Sequence, residues 1–143
     1  MKRIMGVDYG DARTGIAVSD LLCSIVGSTT VIHSRRMEKT LEEIVKLVQS
    51  QDVGEIVVGL PRNMNGTEGP RAELYRAFAA QLEELTGMTV NLWDERRTTI
   101  EAHQILHAGG KKMKQHKNTV DAVAATLILE GYMTRKRRER TET

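Results

Sequence analysis

Apolar positions along this chain switch between strand-like runs and helix-like stripes, and the changeovers divide it into successive elements. Residues 3–8 and 14–19 read as short apolar strands. The Gly10-Asp11-Ala12-Arg13 segment between them is turn chemistry, which predicts a hairpin. A third strand is expected over 29–33. Thr40-Leu-Glu-Glu43 has the form of a capping box, and Leu41, Ile44, Val45 and Val48 supply a helical stripe. Residues 55–60 form a buried strand that stops at Pro61, and a loop rich in Asn and Gly follows. Pro70 suits the first turn of a helix whose stripe is Leu74, Phe78, Leu82 and Leu85 and whose end is Gly87. Residues 90–93 read as the fifth strand. Thr98-Thr-Ile-Glu101 is a second capping box, ahead of a helix that stops at Gly109-Gly110. The last helix is expected from about Asn118 to about Tyr132, with Val120, Val123, Ala124, Leu127 and Ile128 on its apolar side.

A meander of strands followed by alternating helices and strands predicts an α/β fold, a mixed five-stranded sheet flanked by helices. At 143 residues the chain is expected to form one domain over 1–134 with its own core, followed by a basic, disordered tail over 135–143. No run of about 18 apolar residues occurs, so no membrane span is expected. No signal-peptide pattern opens the chain, and Cys23 stands alone, which excludes an internal disulfide framework and fits a reducing cytoplasm. His103 and His107 stand four apart on a predicted helix but lack the Glu of a zinc-protease motif.

The net charge of +2 is too small by itself to announce a nucleic-acid binder, but its distribution is uneven. Lys111, Lys112, Lys114 and Lys117 crowd one segment, and Arg135, Lys136, Arg137, Arg138 and Arg140 crowd the tail. Such clusters suit phosphate contacts or a solvated face. Aromatic residues make up only 3% of the chain, which argues against base-stacking platforms.

The candidate chemistry lies at strand ends, where α/β sheets build their sites. Asp8 closes the first strand, and the glycines at 10 and 15 leave room for a ligand near the backbone. Asp94-Glu95-Arg96-Arg97 follows the fifth strand and joins two acids to two arginines, whose planar forks pair with phosphate. Asp121 is expected in the first turn of the last helix, where the dipole favours an ionised carboxylate. Gly59-Leu-Pro-Arg62-Asn63 begins a loop before a helix, and loops of that kind hold phosphate on backbone N–H groups. Three acids delivered to one sheet edge suggest a divalent-metal site of oxygen ligands, a chemistry that cuts phosphodiesters.

Together, Gly6-Val-Asp-Tyr-Gly-Asp-Ala-Arg-Thr-Gly-Ile-Ala-Val-Ser-Asp20, Val58-Gly-Leu-Pro-Arg-Asn-Met-Asn-Gly-Thr-Glu-Gly-Pro70, Asp94-Glu-Arg-Arg-Thr-Thr99 and Val120-Asp-Ala-Val-Ala-Ala125 resemble, in order and spacing, the YqgF/RuvX family. Its members are described as Holliday-junction resolvases and as pre-16S rRNA nucleases with a ribonuclease-H-like fold. The resemblance runs from Ile4 to Tyr132 and implies a bacterial cytoplasmic protein with catalytic acids at Asp8, at Glu95 or Asp94, and at Asp121. Arg62 and Arg97 stand where apolar residues are expected, and Asn65 where Asp is expected. Well-studied resolvases of this fold carry a fourth acid in the last helix, whereas the turn after Asp121 offers Ala124 and Ala125.

The expected activity is therefore a metal-dependent endonuclease acting on structured nucleic acid, either pre-rRNA ends or branched DNA, with ribosomal proteins as further partners. Asp8, Glu95 and Asp121 are expected to hold Mg²⁺ or Mn²⁺, and Glu95 is preferred to Asp94 because its longer side chain reaches further across the gap of about 4.8 Å between strands. Arg13, Arg62, Asn63, Arg96, Arg97, Lys111, Lys112, Lys114 and Lys117 are the expected nucleic-acid contacts. Two other readings stand beside this one: a non-catalytic nucleic-acid- or ribosome-associated factor, and a phosphate-binding relative of the sugar-kinase and actin-like ATPase fold.

Overall fold

The computed structural model describes residues 2–61, 69–94 and 113–142, with the side chains of 120–139 in the last of these segments. Strand β1 (Arg3–Asp8) turns back into β2 (Arg13–Ser19), and β3 (Val26–His33) pairs antiparallel with β2. Helix α1 (Met37–Ser50) crosses to β4 (Val53–Leu60), which lies parallel to β1. Helix α2 (Pro70–Thr86) leads to β5 (Val90–Asp94), parallel to β4, and α3 (Met113–Glu142) follows. The strands lie in the order β3-β2-β1-β4-β5, the expected mixed five-stranded sheet with helices on its faces. The tight hairpin and the helical crossovers follow from direction, since antiparallel neighbours can be joined by a turn and parallel ones cannot.

Alternation along the central strands builds two cores. Met5 and Val7 of β1, Ile16 and Val18 of β2, and Ile56 and Val58 of β4 face α1 and α2, where Leu41, Ile44, Phe78 and Leu82 meet them. Ile4, Ala17 and Val57, one register away, face α3 and pack on Ala125, Ile128, Leu129 and Met133. Central strands buried on both faces need continuous apolar runs, which is why 3–8 and 55–60 are legible in the sequence.

Helix α3 lies unusually close to the sheet. A Cβ at Gly15 would come within 2.0 Å of the Asp121 carbonyl oxygen, and one at Gly6 within 2.9 Å of Leu129 Cβ. Fully buried Ala124 and Ala125 keep the helix side equally thin. The absence of a fourth acid in this turn therefore has a packing counterpart: neither position has room or solvent for a carboxylate.

Several local expectations are corrected. Thr40 is not a cap. Helix α1 begins one turn earlier, after Arg36, and Thr40 is buried with its hydroxyl donating to the Arg36 carbonyl at 3.2 Å. On α2, Leu74 and Leu85 are exposed, and the buried face is Ala72, Tyr75, Phe78, Ala79 and Leu82. Pro70 and Gly87 do bound that helix, and Gly87 sits at φ 70°, a left-handed value that suits glycine. Helix α3 begins at Met113 rather than near Asn118, and it does not end near Tyr132. Residues 135–142, expected as disordered tail, continue the helix. Tertiary contacts hold that extension: the Tyr132 hydroxyl donates to Glu55, Lys136 Nζ reaches Glu55 Oε1 at 2.6 Å, and Arg137 donates to the Ser24 carbonyl at 3.3 Å.

Gly15→Ala is expected to destabilise the fold by about 3 kcal/mol, because the new methyl meets helix backbone that cannot turn aside as a side chain can. Urea unfolding measures this, and an unchanged midpoint would show that α3 does not need the close approach.

Candidate functional site

The carboxyl ends of β1, β4 and β5 share one edge of the sheet. Val7 pairs with Val58 and Leu60 with Asp94, so Asp8 ends its strand level with the loops that follow β4 and β5. Asp8 is the Cα partner of Gly15 and falls on the Ile4–Gly6 side of the alternation, the side that faces α3. The Asp121 backbone rests on that same Gly15. One glycine thus neighbours the backbones of two acids 113 positions apart in sequence, Asp8 from a strand and Asp121 from a helix.

Asp121 does not occupy a first helical turn. With α3 starting at Met113 it lies two full turns inside, beyond the reach of the terminal dipole. Burial pushes its carboxyl above the usual carboxylate range, while the hydrogen bond and charge of Arg13, and the charge of His33, pull it back. Arg13 Nε donates to Asp121 Oδ2 at 2.9 Å. The guanidinium expected to face phosphate is therefore engaged with an acid of the site.

Asp94 stands on the opposite face. Its partner Leu60 belongs to the α1–α2 core, and Trp93, one position back, packs on the α3 side against Gly131 and Tyr132. Glu95, Arg96 and Arg97, as well as Arg62, Asn63, Lys111 and Lys112, lie outside the described residues, as does the predicted helix after Thr98. Lys114 and Lys117 lie on the first turns of α3, where only the backbone is described.

A brace next to Asp8 had no signal in the sequence. The Tyr75 hydroxyl donates to the carbonyl of Tyr9 at 2.6 Å, and the Tyr9 ring stacks on Phe78 with centroids 4.2 Å apart. Arg71 in the first turn of α2 donates to both carboxylate oxygens of Asp11, at 3.2 and 3.3 Å, and to the Tyr75 hydroxyl. The turn after Asp8 is thus tied to α2 by contacts about 60 residues apart in sequence, which no local pattern encodes.

Among the described residues, no group of three or more His, Cys, Asp or Glu side chains is arranged to hold a metal ion. The two acids beside Gly15 offer carboxylate oxygens alone, a donor set that suits hard cations such as Mg²⁺ or Mn²⁺. The partly buried Asp121 carboxylate is also costly to leave without a cation, and Arg13 meets that need in part.

Residues 2–135 match a family model described as "RuvX: Holliday junction resolvase". A relative in Carboxydothermus hydrogenoformans is 45% identical over 134 residues, covering 94% of this chain and 97% of that one. One in Heliobacterium modesticaldum is 46% identical over 134 residues, covering 94% and 90%. Both carry the name "Putative pre-16S rRNA nuclease". Among solved structures, Thermus thermophilus RuvC in complex with a Holliday junction substrate superposes with a TM-score of 0.59 at 13% identity, over 96% of each chain. Fowlpox virus resolvase in complex with Holliday junction DNA superposes with a TM-score of 0.59 at 9% identity, over 92% of this chain and 97% of that one. At these identities the two superpositions speak for the fold, which is ribonuclease-H-like. The family match spans every described strand and both acids that adjoin Gly15, and the chain belongs to the RuvX Holliday junction resolvase family.

Proposed function

We propose that this protein is a metal-dependent endonuclease that hydrolyses phosphodiesters of structured nucleic acid. The observation that carries the reading is the placement of Asp8 and the Asp121 backbone on either side of Gly15 at the strand-end edge. The nuclease names of relatives at 45% and 46% identity support it, and they favour the ends of pre-16S rRNA as substrate, with branched DNA as the second candidate. The reading as a sugar-kinase-like ATPase yields to the family match. A purely non-catalytic role leaves the paired acids without a task.

Asp8, Asp121 and Glu95 would hold the cation. When bound, a divalent ion lowers the pKa of water and stabilises the charge that develops on the leaving oxygen. The chain's own part is to hold the carboxylates and to engage the strand. The Tyr75 and Arg71 brace fixes the backbone that follows Asp8, and packing of α3 on Gly15 fixes Asp121. Arg62, Asn63, Arg96, Arg97 and the lysines at 111, 112, 114 and 117 would take the phosphates. A precursor bound to the small ribosomal subunit would bring ribosomal proteins alongside. No described helix is long and apolar enough to cross a membrane.

Three outcomes test the reading. Asp8→Asn and Asp121→Asn each keep side-chain shape and remove a charge that a hard cation needs. Cleavage of a pre-16S rRNA fragment, or of a four-way DNA junction, should fall by at least about a thousandfold in either variant, while thermal unfolding stays cooperative. Full activity in a well-folded Asp8→Asn protein would remove the metal site.

The third ligand is expected to be Glu95, because Asp94 faces away from Asp8 and Asp121. Glu95→Gln should abolish Mg²⁺-dependent cleavage and Asp94→Asn should leave most of it. The reverse pattern would assign the ligand to Asp94.

Replacing Lys111, Lys112, Lys114 and Lys117 with Gln should weaken binding and flatten its salt dependence. The logarithmic slope should change by about 0.9 for each duplex phosphate that these lysines neutralise. A slope equal to the wild type's would mean that they touch only solvent.

A further inference from the structure

Arg13 opens β2 on the same face as Gly15, since alternate strand positions share a face. Helix α3 comes down on Gly15 at Asp121, and the Arg13 side chain meets the Asp121 carboxylate at 2.9 Å. The two ends of the pair differ in exposure: the Arg13 side chain keeps 35% of its surface and the Asp121 side chain 18%. The acid is the more buried partner and the Arg13 side chain the more exposed one. The bond to Asp121 uses the Nε donor. The fork formed by the two Nη groups is the part that matches a phosphate bidentately.

Two competitions follow from this geometry. A guanidinium bonded to Asp121 opposes any second cation that would use the same carboxylate. A phosphate anion that takes the Nη fork shares the single guanidinium charge with that carboxylate and weakens its hold on Asp121. We infer that Arg13 is a positioning residue that makes cation binding at Asp121 depend on nucleic acid. In the free protein Arg13 is the counter-ion of Asp121, and a phosphate of the bound strand draws the guanidinium outward and leaves the carboxylate to the divalent ion. The inference rests on the reading of Asp121 as a metal ligand and adds a coupling to it. Such coupling is reciprocal: the factor by which nucleic acid strengthens cation binding is the factor by which the cation strengthens nucleic-acid binding.

The test uses the full chain and two binding measurements that need no turnover. Mn²⁺ is titrated into the free protein and followed by electron paramagnetic resonance, for wild type, Arg13→Gln, Arg13→Lys and Asp121→Asn. A four-way DNA junction and a pre-16S rRNA hairpin are then titrated in Ca²⁺ and in EDTA, Ca²⁺ serving as a second hard cation for oxygen donors. Arg13→Gln should bind Mn²⁺ about five- to tenfold more tightly than wild type, within the usual range of coupling between sites. Arg13→Lys keeps the charge and should stay close to wild type. Ca²⁺ should tighten wild-type binding of at least one of the two nucleic acids by a similar factor, and Arg13→Gln should lose that dependence. Thermal unfolding of each variant confirms that the comparison is between folded proteins. Mn²⁺ affinity that falls with Asp121→Asn but is unchanged or weaker in Arg13→Gln would overturn the coupling and leave the metal site standing. Mn²⁺ binding that is absent in both wild type and Arg13→Gln, or insensitive to Asp121→Asn, would overturn both.

Discussion

The close approach of helix α3 to strand β2 at Gly15 governs the rest of this structure. Only a residue without a Cβ lets the Asp121 backbone rest on the strand, and Gly15 is also the cross-strand partner of Asp8. Packing and chemistry therefore meet at one position. The same thinness continues down the helix through Ala125 over Gly6 and ends at Gly131, which gives room to the Trp93 ring. A bulkier sequence along this line would lift the helix and carry Asp121 away from Asp8.

That packing also sets the electrostatics. A carboxylate pressed between helix and sheet loses hydration, which raises its pKa and makes a nearby cation valuable. Arg13 meets part of that need from the strand side. The pairing places a charge balance inside the site itself, where a residue expected only to touch phosphate is also tied to an acid. Family membership and the nuclease names of relatives make sense of such a site, and its carboxylate donors suit a hard metal ion.

Away from the site, the lower half of α3 is held by a different device. Glu55 of β4 accepts from both Tyr132 and Lys136, one helical turn apart, and Lys136 lies 5.6 Å from the centre of the Tyr132 ring. The partly buried pair is sheltered from solvent screening, unlike the exposed Arg135–Glu139 pair, whose contribution is small. These contacts turn a run of basic residues that looks like a solvated end into a continuation of the helix.

The strands were legible in the sequence because the middles of β1 and β4 are buried on both faces and must be apolar there. Turn residues marked the hairpin, and Pro70 and Gly87 marked the ends of α2, because both act through backbone geometry alone. Asp8 could be singled out as an acid that closes a buried strand. Its grouping with Asp121 at one sheet edge was expected from strand-end placement and from the family resemblance, but the glycine between them was not. Tertiary structure decided the remainder. Which face of α2 is buried depended on Tyr75 reaching the Tyr9 carbonyl, so Leu74 and Leu85 stayed exposed despite their helical spacing. Thr40 became an interior residue because helix α1 extends back by a turn and buries it. The partner of Arg13 depended on how closely a helix 108 positions away could approach a glycine. Local pattern records what each residue does to its own backbone and which face it prefers to bury. It holds no record of long-range proximity, and that proximity decides the charge state and partners of a site.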